Sequence, residues 1–118
     1  MAESQYPELT QRISKQVGAL RKSQSATMQG FSALSSAAMA AGAIDAKTKE
    51  LIALGIGVSQ RCAGCIGFHT KALIRLGATR AEFEEVLAVA VYMGGGPSLM
   101  YAAEALQAWD EFSAPPPD

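Results

Sequence analysis

The chain has 118 residues and a formal net charge of −1, with 49% apolar and 18% charged residues. That length suits one domain with one core. No run of lysine or arginine is present to attract a nucleic-acid backbone. The first dozen residues lack both a basic n-region and an apolar h-region, and the longest apolar stretch is broken by Gly94, Gly95, Gly96 and Pro97. Neither a secretory leader nor a bilayer span is therefore expected, and a cytoplasmic location follows.

Abundant alanine and scattered β-branched residues favour helix over strand, so the expected fold is all-α, of about six helices. The first helix is expected over 6–21, where Leu9, Ile13, Val17 and Leu20 recur at helical spacing and Pro7 suits the opening turn. A Ser/Gln-rich joint at 23–27 leads to a second helix that carries Met28, Phe31, Leu34 and Met39 and ends near Gly42. Asp45 is a natural N-cap for a third, with Leu51, Leu54 and Val58 on one face and Ile52 and Ile56 beside them. Gly55 and Gly57 weaken that helix and suggest close approach to a neighbour.

A polar break at 59–61 precedes a fourth helix opened by Cys62 and closed at Gly77. Thr79 and Glu82 form a capping-box pattern for a fifth, which turns Phe83, Val86, Leu87, Ala90 and Val91 inward. The Gly94–Pro97 break joins it to a sixth, with Leu99, Met100, Ala103, Leu106 and Trp109. The whole reads as one domain over 1–112, with a core at 43–109 and a proline-rich tail at 113–118 expected to be disordered or extended. So much alanine, glycine and apolar surface in a short chain also suggests burial against copies of itself.

The chemistry concentrates between Glu50 and His69. This stretch holds both cysteines, Cys62 and Cys65, the chain's single histidine, His69, and a glutamate, Glu50, on the preceding helix. Cys62, Cys65 and His69 stand at i, i+3 and i+7 and share a helical face. A cysteine at a helix N-terminus faces free N–H groups and the positive end of the dipole, which favour the thiolate. The i, i+3 spacing allows a disulfide on the first turn. If the third and fourth helices form an antiparallel hairpin, the rise of about 1.5 Å per residue brings Glu50 and His69 to similar heights. A carboxylate could then orient and charge the imidazole. Dithiol redox chemistry is the leading reading. Zinc ligation by Cys-Cys-His-Glu and an inert cysteine pair are the alternatives, the former an uncommon ligand set.

Glu50, eleven intervening residues, Cys62-Ala-Gly-Cys65, three more and His69 resemble the active-site signature of the AhpD-like alkylhydroperoxidase family, within the carboxymuconolactone decarboxylase superfamily. The segment YMGGGPSLMYAAEAL resembles its small single-domain members. The resemblance implies an all-helical trimer or hexamer and a thiol-dependent antioxidant peroxidase or disulfide reductase that needs no bound cofactor or metal. Its substrate would be a hydroperoxide or a disulfide, and a lipoyl or thioredoxin-like dithiol would be its electron donor. It implies that Cys65 attacks peroxide, that Cys62 resolves the sulfenic acid, and that Glu50 and His69 relay protons through a bound water. A thioredoxin-like reading reverses the cysteines, with Cys62 as nucleophile. The sequence departs from the AhpD pattern at Gly64, where a second histidine is usual. A non-enzymatic redox sensor and a cysteine-independent decarboxylase-type lyase are the competing functions.

Overall fold

The computed structural model describes residues 5–115, which form six helices: α1 Gln5–Ser23, α2 Ser25–Met39, α3 Ala46–Ser59, α4 Ala63–Arg75, α5 Arg80–Gly94 and α6 Gly96–Ser113. The all-α expectation and the helix count hold. Helices α3 to α6 close a ring of contacts, with α3 against α4 and α5, and α6 against the same two. Inside lie Leu54, Val58, Ile66, Leu73, Phe83 and Leu87. Small side chains let α6 come close: Ala102, Ala105 and Ala108 are buried, while Leu99 and Met100 are half or more exposed. The burying face of α6 is thus an alanine stripe flanked by Trp109, whose ring centroid lies 4.8 Å from that of Phe83.

Polar contacts fix where the helices start. Asp45 Oδ1 accepts from Thr48 N–H at 2.7 Å, capping α3. The Thr79–Glu82 capping box is complete, and Lys47 reaches from α3 to Glu82 at 2.8 Å, joining the two helix starts. Glu111 on α6 accepts from the Tyr6 N–H at 2.6 Å and the Gln5 N–H at 3.1 Å, which caps α1 and seats it across α4 and α6. The side chains that α1 buries are Tyr6 and Thr10; Leu9, Ile13 and Val17 are half-buried, and Leu20 is exposed.

Two boundaries differ from expectation. The joint between α1 and α2 is Gln24 alone, because Gln24 N–H still bonds Leu20 C=O and Met28 N–H bonds Gln24 C=O. Helix α2 stops at Met39 rather than near Gly42. Its C-cap Ala40 is extended, and Lys49 Nζ holds the carbonyls of Ala38 and Ala40 at 2.9 and 2.6 Å. A cation on the terminal carbonyls supplies what a glycine cap would have supplied. The α5–α6 joint is Gly95, with φ of +71° and ψ of −150°, a backbone region open only to glycine. Positions 116–118 of the tail lie outside the described residues.

Candidate active site

Helix α3 ends in a two-bond lock that sets Cys62. Arg61 adopts a left-handed φ of +57°, so its N–H meets Val58 C=O at 3.1 Å and Cys62 N–H meets Gly57 C=O at 3.0 Å. This is a Schellman closure with arginine where glycine is usual. It turns the chain back, so that α3 and α4 pack as the antiparallel hairpin anticipated from the sequence. The close approach of this hairpin requires Gly57, where a Cβ would sit 3.1 Å from that of Cys65.

Cys62 is the N-cap of α4. Its sulfur accepts the Cys65 N–H at 3.1 Å, and the two cysteines are joined as a disulfide with 5.2 Å between their Cα atoms. Both are half-buried. Two turns along α4 from Cys62, His69 Nδ1 lies 2.6 Å from Glu50 Oε2, with side-chain exposures of 30% and 16%. A carboxylate can only accept, so Nδ1 carries the hydrogen and Nε2 is the ring's free nitrogen. The α3–α4 hairpin thus joins the four residues singled out in the sequence as two pairs, Cys62 with Cys65 and Glu50 with His69. Among the described residues, no group of three or more His, Cys, Asp or Glu side chains is arranged to hold a metal ion.

Helix α1 contributes a feature that no local pattern announces. A Cβ on Gly64 would lie 2.9 Å from Ile13 Cδ1, and one on Gly67 would lie 2.7 Å from Thr10 Cγ2. The two glycines form a trough in which α1 lies, and Ile13 occupies the room a larger residue at position 64 would need. On the same side, Ala63 borders a cleft of about 480 Å³ with Tyr6, Leu9, Met100, Tyr101 and Glu104. Tyr6 Oη donates to Glu104 at 2.8 Å. Burial, and then the hydrogen bond to that carboxylate, push the Tyr6 phenol well above its ordinary range.

The sequence profile of the carboxymuconolactone decarboxylase family matches residues 25–108. The chain belongs to the carboxymuconolactone decarboxylase family. The AhpD-like resemblance fits that superfamily. A family member from Legionella pneumophila, solved in its apo form, is similar over 95% of this chain and all of its own, at 53% identity and a TM-score of 0.93. Another, from Thermotoga maritima and suggested to take part in an antioxidative response, is 26% identical with a TM-score of 0.79, covering 86% of this chain and 87% of its own. An uncharacterised protein of Cupriavidus necator is 43% identical over 86% of this chain and 90% of its own length. Within this family fold, the chain carries a Cys-X-X-Cys pair at the tip of α4.

Proposed function

We propose that this family member is a thiol-dependent antioxidant oxidoreductase in which Cys62 and Cys65 cycle between dithiol and disulfide. The observation that carries the reading is the Glu50–His69 hydrogen bond on the same helical face as the cysteine pair. An inert structural pair has no use for an imidazole–carboxylate couple on its helical face.

The resemblance assigns the attack to Cys65. Its thiolate takes the terminal oxygen of a hydroperoxide, the O–O bond breaks, and the alkoxide leaves as an alcohol with a proton delivered from His69. Cys65 is then a sulfenic acid. Cys62 attacks its sulfur, the S–S bond forms, the S–O bond breaks, and water departs. An external dithiol, of lipoyl or thioredoxin-like type, reduces the disulfide by attack on Cys65. Cys62 then leaves as a thiolate, at a helix N-cap where the Cys65 N–H already meets its sulfur. The donor's second thiol attacks the donor sulfur of the mixed disulfide, releasing Cys65 and leaving the donor as a disulfide. Glu50 holds the Nδ1 hydrogen and stabilises the imidazolium each time His69 takes a proton at Nε2. The same site serves disulfide reduction if a protein or lipoyl disulfide replaces the peroxide.

The test is peroxide consumption by the reduced protein with dithiothreitol, with dihydrolipoamide and without donor, recording intact mass throughout. Sustained turnover that is lost in both Cys62→Ser and Cys65→Ser is expected. Full turnover in both variants would end the proposal. Stoichiometric oxidation without turnover would point instead to a redox sensor. A lyase of the kind named by the family would keep its activity after both thiols are alkylated.

A further inference from the structure

The net charge of −1 conceals two halves of opposite sign. Positions 5–79 hold nine lysines and arginines against Glu8, Asp45 and Glu50, whereas positions 80–115 hold Arg80 against Glu82, Glu84, Glu85, Glu104, Asp110 and Glu111. The cysteine pair belongs to the positive half. Helix α4, which Cys62 caps, contains no Asp or Glu, and its exposed residues are Phe68, Lys71 and Arg75. These stand at i, i+3 and i+7 and share one face, which begins a turn beyond Cys65.

A solvated helix face usually mixes both signs, so that its cations meet carboxylates three or four residues away. Among the described residues, neither Lys71 nor Arg75 forms an ion pair. Arg75 also completes the last turn, where the dipole favours a cation, but Lys71 stands mid-helix. Phe68 is 36% exposed between these cations and the cysteine turn, and aromatic and arginine side chains are enriched where proteins meet. Sulfur chemistry at Cys65 narrows the occupant. Nucleic acid and lipid headgroups would offer this face phosphates but no thiol. A small hydroperoxide does not span from Cys65 to Lys71 and Arg75, about 9 and 15 Å further along the helix axis.

We propose that this face of α4 receives a protein dithiol donor whose cysteines are flanked by acidic residues. The proposal rests on the redox reading of Cys62 and Cys65 and adds the chemistry of the partner. Phe68 makes an apolar contact beside the cysteines, and Lys71 and Arg75 pair with carboxylates further out. The reaction is thiol–disulfide exchange. The donor loses two electrons and becomes a disulfide, Cys62 and Cys65 gain them, and the donor's two thiol protons pass to the cysteines. Redox encounters of this kind are small, below about 1,200 Å² in total, so charge complementarity supplies speed and selection more than lasting affinity. Glu50 does not oppose an acidic partner, because its carboxylate is engaged by His69.

The experiment reduces the oxidised protein with two synthetic Cys-X-X-Cys dithiol peptides, one flanked by glutamates and one by lysines. Each rate is divided by the same peptide's rate on uncharged hydroxyethyl disulfide, which removes the effect of the flanks on thiol reactivity. In ~10 mM salt the acidic peptide should be about 10-fold faster, the low end of electrostatic steering. In ~1 M salt, where the screening length is about 3 Å, the ratio should approach one. Lys71→Gln/Arg75→Gln should bring the low-salt ratio within about twofold of one, at unchanged helical circular dichroism. Should that pair lose helicity, Lys71→Gln alone should lower the ratio about threefold. Glu84→Gln/Glu85→Gln, on α5, should leave it near the wild-type value. Equal rates in the wild type would overturn the proposal, as would a preference that survives loss of Lys71 and Arg75 or falls as far with Glu84 and Glu85. A changed mass of Lys71→Gln/Arg75→Gln in light scattering would overturn it by making the face a contact between copies. Cosedimentation with anionic vesicles that the same variant abolishes would overturn it in favour of a membrane. Dithiothreitol is run alongside: a disulfide that it cannot reduce ends the redox reading and this one with it, whereas a reducible disulfide with equal peptide rates ends the docking face alone.

Discussion

Replacing Glu50 by glutamine removes one charge and leaves nearly everything else in place. The amide oxygen still accepts from His69 Nδ1 across the present 2.6 Å, so the ring keeps its orientation. What disappears is the attraction between carboxylate and imidazolium. At about 4 Å and an effective dielectric near 20, that attraction has a ceiling of about 4 kcal/mol. Both side chains are partly solvated, at 30% and 16% exposure, so the lower range of about 1.5–3 kcal/mol for a charge-assisted hydrogen bond is the better guide. If His69 must hold a proton in the rate-limiting step, turnover falls roughly 10- to 160-fold. The assay is steady-state peroxide or disulfide turnover, with thermal melting as the control for folding. The loss should fall on kcat, because Glu50 is not placed to touch substrate. Glu50→Gln in a His69→Gln background should cost nothing more, since a positioning residue acts only through its partner. Full activity in Glu50→Gln would refute the reasoning, as would losses that multiply in the double variant.

Three further outcomes follow from other parts of the fold. Gly64→His should destabilise the protein by about 1–3 kcal/mol, because Ile13 fills the space a Cβ would enter. Adding Ile13→Ala should recover a good part of that loss, so urea melts without a favourable coupling between the two changes would contradict the α1 wall. Arg61→Gly should leave the site unchanged and raise stability by up to ~1 kcal/mol, since a left-handed non-glycine residue costs about 1–2 kcal/mol and glycine's added freedom in the unfolded chain offsets part of the gain; a lower midpoint would show that Arg61 makes contacts of its own. The raised phenol of Tyr6 favours the protonated form when folded. Its stabilising effect is complete below the ordinary value of 10.0 and is lost as pH rises above it toward the folded value. Tyr6→Phe should therefore be less stable at neutral pH and show a flatter decline in alkaline melts; parallel curves would argue against it.

Much of the candidate site was legible in the chain because its signals are local. Asp45, Thr79 and Gly77 punctuate helices through bonds to residues three or four positions away, and Cys62, Cys65 and His69 share a face through helical period alone. The Glu50–His69 encounter was also within reach. It needs only an antiparallel hairpin and equal rise on both arms, and 19 residues of separation satisfy both.

The choice of which apolar residues lie inside was not local. In α6 the pattern favoured Leu99 and Met100, but the closeness of α3, α4 and α5 selected the alanine stripe and left the larger side chains outside. In α2 an apolar sequence gave a helix without a core to enter, because composition records that a surface must be covered and not where its cover comes from. Ile13 over Gly64 joins residues about fifty positions apart, and no periodicity relates them. By itself, then, the sequence determined the helices, their caps and the dithiol face, since each depends on residues within a few turns of one another. Only the tertiary structure decided that α1 walls the cysteine turn with an isoleucine, because that contact exists only once Glu111 has capped α1 and seated it on the glycines of α4.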